Sequence, residues 1–568
     1  MIYQSSLNIV LYRMRRPFLV LILTFSISII GLLIIDGVDA NGETYKLTIF
    51  DAFYFVTYTA TTIGFGETPY EFTYSQRLWV SFTVYLSVLG WFYSIGTLIS
   101  ILQDKIFLTE LARGKFRRQI KGLNEKYIII LGYNHTTNAI IKRVLRKGFR
   151  VVVIEKDEQK AHELYFDNHI TTVPILVADA FNAQVFIEAG IESKYCKAVV
   201  SIFEDDNLNL RVSLTTKLLN KKITLAVKST TQHHTDNLKD LGVNIIKNPF
   251  QIVASHMELA IKAPNLLKLE RWLHKQGGLD IPVTEFPKGK YIVCGYGRLG
   301  NYIYKMLESN GIDITFIEVD TVKTSKLSQD KQKHILIADG DDKHILVDAG
   351  IEEAQVLIAG TDDDTVNLSI LATAKKLNPN ILTIARENEM DDFSIFHNAK
   401  IDYLFIPETT LINNISNALI NPLIDKLVNQ ILLQDEKWGQ HLVRTIIEEI
   451  NPNPIVYNIT INSSQAPEIF NVLENDKIIN LSIFHKSLYN YKQKNNIIPL
   501  LLYRDKEYTL MPSWDINLQK NDQLLFACDE NGKSDMEFIA QNIYEFHYVY
   551  TNSEKNTIKD IKMKRKRK

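Results

Sequence analysis

The sequence predicts a multidomain chain: an all-α module with two membrane-spanning helices, two tandem α/β units built on buried parallel sheets, and a small β-rich C-terminal region. Three observations predict it. Residues 17–35 and 78–102 carry no charged side chain, and as helices both are long enough to cross a hydrocarbon core of about 30 Å. From Lys126 onward, short apolar runs such as "KYIIILGY" and "VVVIEKD" alternate with helical periodicity, the pattern of a parallel sheet covered on both faces. That pattern then occurs a second time. Gly132 and Gly295, Glu155 and Glu318, and Asp157 and Asp320 stand 163 residues apart; Asp179 and Asp339, and Gly190 and Gly350, 160; Asn209 and Asn367, and Pro249 and Pro407, 158. Shrinking offsets are what small loop deletions in a duplicated unit produce.

Composition narrows the function. The 568 residues exceed what one core can hold, and 46% hydrophobic with 23% charged residues is too polar for a chain wholly inside a bilayer. A formal net charge of −1 offers no basic field, so no nucleic acid partner is expected. The three cysteines, Cys196, Cys294 and Cys528, are too far apart for a disulfide framework or a cysteine zinc site, and fit a reducing cytosol.

Taken in order, residues 1–16 form an N-terminal segment with Arg13, Arg15 and Arg16 ahead of the first span, 17–36. The span is longer than a signal-peptide core and no small-residue cleavage site follows it, so it reads as a membrane helix. The second span, 76–102, is followed by a basic stretch from Lys105 to Lys121, whereas the segment between the spans is acidic. The positive-inside rule puts both termini in the cytoplasm of a multi-pass protein of the plasma (inner) membrane.

Between the spans, residues 48–61 are apolar and aromatic but too short to cross as a helix. Irregular backbone after such a half helix is tolerated only where it is buried or lines a water-filled path. There "TTIGFGE" offers free carbonyls, and glycine at alternate positions lets successive carbonyls point the same way. Thr62, Ile63, Gly64, Phe65 and Gly66 match, position by position, the potassium-channel selectivity filter, T-V-G-Y-G-D in its usual form, which this stretch resembles. Ile, Phe and Glu67 replace Val, Tyr and Asp. The resemblance implies a carbonyl ladder for K+. Phe65 lacks the hydroxyl that tyrosine gives to the surrounding cuff, and Tyr54, Phe55 and Tyr58 are the cuff candidates. In the second span Gly90 is a candidate bend of the lining helix, close packing being the other use of glycine in a membrane helix.

A linker, 103–125, leads to the first α/β unit, 126–248. Crossover helices at 249–287 and 408–437 flank the second unit, 288–407; a C-terminal subdomain, 438–546, and a basic tail, 547–568, complete the chain. Both units read as Rossmann-like. The second has Gly295, Gly297 and Gly300 in G-x-G-x-x-G between a strand and a helix, with Glu318 23 residues after Gly295 at the end of the next strand. That context suits a pyrophosphate at the helix start and a carboxylate on ribose hydroxyls, favouring NAD(H) or another adenine nucleotide over NADP. Arg298 can reach phosphate, and Asp339, ending the third strand, is counted with the cofactor-binding residues. In the first unit Asn134 and Thr137 stand where the second and third glycines would be, so it is expected to be structural or tuned to another ligand.

Tandem Rossmann units behind a two-helix pore resemble ligand-gated potassium channels with regulator-of-K+-conductance (RCK) domains. The resemblance implies a homotetramer in a lipid membrane, a gating ring of eight RCK domains, and no enzymatic activity. Ca2+, which some RCK rings bind, is an alternative ligand for the acidic runs at Glu204–Asp206 and Asp362–Asp364, which also read as solvated loop tips. Other functions that fit part of the chain are a membrane-anchored NAD-dependent oxidoreductase, for which no substrate domain is found and which would leave the filter unexplained, and a regulatory subunit of a K+ uptake system, which normally lacks a pore of its own.

Overall fold

The computed structural model describes residues 6–284, 286–325, 327–388, 396, 399, 401–490 and 493–555. The first unit runs to Asn124 and includes residues 174–176 and 188–190, and the second takes the rest from Glu125.

In the first unit, helix Ser6–Ile34 packs along helix Tyr74–Gln103. Both contain a stretch long and apolar enough to cross a membrane, Tyr12–Ile34 and Tyr74–Gln103. Each of the two helices that follow the first begins at a reciprocal cap, in which a threonine hydroxyl takes an orphan amide of the first turn and a side chain reaches back. Thr48 and Asp51 cap Ile49–Ala60, and Thr73 and Gln76 cap Tyr74–Gln103. Leu32, Leu47, Ala52 and Val56 form the packed centre. Gly90 lies within the uninterrupted second helix, and a Cβ there would come within 2.6 Å of the Thr24 hydroxyl. The glycine therefore lets the two spans approach. The linker is a helix, Lys105–Lys121, capped by Asp104, which also pairs with Arg13.

Apart from residues 174–176 and 188–190, the second unit holds both α/β copies. In the second copy the strands lie in the order Ile335–Ile337, Asp313–Glu318, Lys290–Cys294, Val356–Ala359, Leu382–Arg386, Tyr403–Phe405, with neighbours parallel throughout. In sequence order that is 3-2-1-4-5-6, the doubly wound Rossmann arrangement, and the first copy has the same order. Phe316, Val293, Ile358 and Ile384 line up across the sheet and are all buried, as a sheet covered on both faces requires.

After each sheet come two helices, each opening on a proline: Pro249–Lys262 with Pro264–Leu273, and Pro407–Ile420 with Pro422–Ile431. The first pair's leading helix packs on the second copy's Arg298–Ser309, and the second pair's on the first copy's His135–Leu145. The clasp is reciprocal. Phe250, Val253 and Met257 enter the second copy's core beside Tyr302 and Ile303, and Asn248 donates to the Tyr302 hydroxyl at 2.9 Å.

Beyond helix Glu436–Glu449 the C-terminal subdomain is an antiparallel sheet in the order Ile455–Thr460, Gln523–Cys528, Ile497–Arg504, Glu507–Leu510, packed with helices. Its last helix, Ile543–Thr551, extends past the boundary at 546 set from sequence. The charged end of the basic tail, 556–568, lies outside the described residues.

Candidate functional site

Two places carry chemistry. The first is the segment after helix Ile49–Ala60. Thr62, Gly64 and Gly66 have φ of +62°, +68° and +73°, whereas Ile63 and Phe65 do not take positive φ. Alternation of this kind is costly for a β-branched threonine, roughly 1–3 kcal/mol, and persists because the surroundings fix it. The fixing bonds are visible. Amides of Ile63 and Gly64 both donate to the Tyr58 carbonyl, at 3.0 and 3.2 Å, and the Thr62 amide donates to Thr59. At the far end the Tyr58 hydroxyl donates to the Glu67 carbonyl and the Tyr54 hydroxyl to the Glu67 carboxylate, both at 3.1 Å. Phe65, without a hydroxyl of its own, meets the Tyr58 ring edge-on at 6.1 Å. Phe55 packs edge-on against Tyr58 at 5.4 Å. The three aromatic residues expected at a cuff thus stand around this segment, and two of them bond it.

The second place is the carboxyl edge of the second copy's sheet, beside its switch point between Lys290–Cys294 and Val356–Ala359. A cavity of about 410 Å3 opens there, lined among others by Gly295, Gly297, Arg298, Glu318 and Asp339. Gly300 lies beneath, where a Cβ would come within 2.5 Å of the Gly295 carbonyl oxygen. Gly295 has φ +99° and abuts the Gly360–Thr361 backbone, so it is glycine for both conformation and space. Gly297 stands at the start of helix Arg298–Ser309 with no side chain capping it, and nothing lies within 4 Å of a Cβ placed there. The first-turn amides therefore face the cavity without a partner from their own helix, the arrangement that receives an anion. Glu318 is buried, and its two oxygens accept from the Tyr296 amide at 2.7 Å and the Asp320 amide at 2.9 Å. An ionised carboxylate has further lone pairs, so this clamp on the glycine loop leaves capacity for hydroxyl donors.

The first copy shows what changes when the glycines go. Glu155 holds the Tyr133 and Asp157 amides just as Glu318 does. But Asn134 and Thr137 close a capping box over helix His135–Leu145: the Asn134 side chain takes the Thr137 amide at 2.9 Å and the Thr137 hydroxyl takes the Asn134 amide at 2.8 Å. The Phe203 ring stands 3.0 Å from where a Cβ of Gly132 would be, a place taken in the second copy by backbone. The Asn134 and Thr137 amides at this helix start are thereby spent internally.

Of the acidic runs, Glu204 pairs with Lys228 at 2.5 Å, Asp205 caps the following helix and Asp206 accepts from Thr230. Asp363 likewise caps a helix, and Asp364 accepts the Asn388 amide. No group of three or more His, Cys, Asp or Glu among the described residues is placed to hold a metal ion. Arg386 is a lining residue that the sequence reading passed over; its signal was an arginine ending the apolar strand "ILTIAR", at the edge where Rossmann ligands sit.

Comparison with known proteins matches residues 18–104 to an "Ion channel" family model and residues 128–249 and 291–407 to the "TrkA-N domain" model. Curated relatives include a "Trk system potassium uptake protein TrkA homolog" of Pyrococcus horikoshii, 31% identical over 28% of this chain and 69% of its own length. "Potassium channel protein 1" of Methanocaldococcus jannaschii is 28% identical over 33% of this chain and 57% of its own length. The chain spans between about a fifth and just over two thirds of the length of the curated relatives it matches, from 18% to 69%. Among solved structures, one described as "GsuK channel bound to NAD" aligns over 94% of this chain and 99% of its own, at 13% identity and a TM-score of 0.46.

Proposed function

We propose that this chain, which belongs to the TrkA-N domain family and is a membrane protein with an ion-channel module ahead of two TrkA-N copies, is a K+-selective channel gated by a cytoplasmic adenine nucleotide such as NAD(H). The observation that carries the reading is the alternation of positive φ at Thr62, Gly64 and Gly66, held by a short helix between two spanning helices. Carbonyls arranged this way replace the water shell of a dehydrated cation, with Thr62 to Gly66 as the ladder. One chain supplies one wall of such a path. A homotetramer would complete it, and eight TrkA-N copies would then form the cytoplasmic ring, with both termini in the cytoplasm of a plasma (inner) membrane protein. Gly90 serves the lining helix through its close packing on Thr24, and a bend there would require that contact to open.

In the second copy, the uncapped amides at Gly297 would hold a pyrophosphate, Arg298 would lie beside it, and Glu318 would accept ribose hydroxyls, with Asp339 also lining the cavity. Gating then needs only that the nucleotide prefer one ring conformation. Apart from Asp362, which lines the groove, the acidic runs are engaged as caps, a pair and hydrogen-bond acceptors, which favours the nucleotide over Ca2+ as the ligand.

The test is ion flux from liposomes holding the full chain. K+ flux well above Na+ flux, lost in Gly64→Ala because a Cβ at φ +68° distorts the ladder, is the expected result. Equal K+ and Na+ flux, or flux unchanged by Gly64→Ala, would exclude the filter assignment.

A further inference from the structure

The linker helix Lys105–Lys121 leaves part of its surface uncovered. Leu108, Leu111, Lys115 and Arg118 are all exposed, and their 3-4-3 spacing places them on one stripe of an α-helix. Phe116 and Ile120, on the other side, are buried. The stripe is apolar in its first half, with Leu108 49% and Leu111 38% exposed, and cationic in its second. It carries no acid, and the two acids nearby are taken: Asp104 pairs with Arg13, and Glu110 with Arg113. Complementing the helix dipole accounts for a cation in the last turn, such as Arg118, but not for leucines exposed in line with it.

The neighbouring spans indicate what covers this stripe. Helix Tyr74–Gln103 ends at Asp104, whose extended backbone (φ −68°, ψ 117°) breaks the axis. The next turn stays with the ends of the spans, because Phe107 is buried with Met14 of the first helix and Ile101 of the second. Leu108 therefore lies within about 6 Å of the end of the apolar span, inside a headgroup layer about 5–8 Å deep. The first helix marks the same level. Its exposed stripe, Leu19, Leu23, Ile27, Ile30 and Ile34, turns away from the buried Thr24, Ser28 and Leu32. Prolonged towards the N-terminus, that stripe reaches Arg16 and then Tyr12, both exposed, the residue types that anchor a span at the interface. Among the described residues no ion pair engages Arg16, Lys115 or Arg118.

We propose that the linker helix lies along the membrane surface and binds the headgroups of anionic phospholipids. Leu108 and Leu111 enter the acyl boundary, while Lys115 and Arg118, with Arg16 of the first span, hold the phosphates. The inference rests on the membrane reading of the two spans and not on ion selectivity or nucleotide binding. It goes beyond that reading by making the bilayer a ligand of the joint between the lining helix and the α/β copies. In the proposed gating, headgroups that hold this joint bring lipid charge into the equilibrium between ring conformations.

The experiment places the full-length protein, with an environment-sensitive fluorophore on Ala112→Cys, in nanodiscs of phosphatidylcholine containing increasing phosphatidylglycerol. Ala112 is exposed beside the stripe and the three native cysteines are buried, so the label reports on this face. Protection from the neutral quencher acrylamide should rise saturably with phosphatidylglycerol. Lys115→Gln combined with Arg118→Gln should raise the fraction needed for half protection by about fivefold or more, the scale of one cation at an anionic surface. Lys115→Arg combined with Arg118→Lys should keep the original dependence. All these side chains are exposed, so the substitutions do not threaten folding. Protection that is absent, or equal with and without phosphatidylglycerol as a second copy of the chain on this face would give, would overturn the proposal. So would a lipid dependence unaltered by the double glutamine variant. The readout uses neither flux nor nucleotide, so failure here leaves the channel reading standing, and unselective flux leaves this site standing.

Discussion

Tyr58 holds both ends of the filter segment: its carbonyl takes the amides of Ile63 and Gly64, and its hydroxyl donates to the carbonyl of Glu67. Neither neighbouring aromatic residue replaces the second bond, because Phe65 has no hydroxyl and the Tyr54 hydroxyl is already on the Glu67 carboxylate. Tyr58→Phe removes one hydrogen bond of about 1 kcal/mol. If that bond steadies the ladder, the K+ over Na+ permeability ratio, read from reversal potentials, should fall about fivefold while the protein still assembles. At this scale the sequence was most readable where backbone conformation restricts the residue. Gly64, Gly66, Gly295 and Gly300 each meet a positive φ or a close backbone approach, and spacing alone singled them out. Phe250 and Arg386 were not readable in that way. They matter because a crossover helix from one copy delivers an aromatic ring to two arginines of the other, and no local pattern records such a meeting.

Among the elements, the crossover helices hold the most consequential packing. The sequence identified two prolines, Pro249 and Pro407, opening equivalent segments, and alternating runs located both sheets. The reciprocal seating of each leading helix on the other copy was not legible, since an amphipathic face shows that a helix is covered and not by what. Where the first crossover turns, Glu270 is buried against His256, at 3.0 Å, with His274 close by and the Lys247–Asp425 pair alongside. Arg271 and Tyr403 border the same junction. Burial lowers the His274 pKa; burial acts to raise Glu270, but His256, then His274 and Lys247, bring it below the usual carboxylate value. Both shifts act in one direction. A histidine with a lowered folded pKa takes up its proton more readily when unfolded, so its stabilisation is present above about pH 6.5 and is lost as pH falls through the folded value. Glu270 stabilises above the ordinary glutamate value, near pH 4.5, and loses that contribution as pH falls further. The melting temperature of the full chain in detergent should therefore drop between pH 7.5 and 5.5, and His274→Gln should flatten that drop. A melting temperature that rises on acidification would contradict the assignment.

For the molecule as a whole, the architecture follows from duplication with divergence. Two copies share strand order, the carboxylate clamp on the first loop and the crossover pair, yet only the second keeps a helix start free of side-chain capping. That asymmetry was visible in the letters as "GYNHTT" against "GYGRLG"; its physical content, an Asn134–Thr137 capping box occupying two of the donors, needed coordinates. The central claim is that a nucleotide in the second copy controls the ion path. The most direct measurement is K+ flux through the reconstituted full chain as NAD+ or NADH is titrated, compared with Gly297→Val. The account predicts K+-selective flux that changes saturably with the nucleotide and a Gly297→Val protein that conducts without responding to it. An undiminished response in Gly297→Val, or a wild-type flux indifferent to every adenine nucleotide, would contradict it.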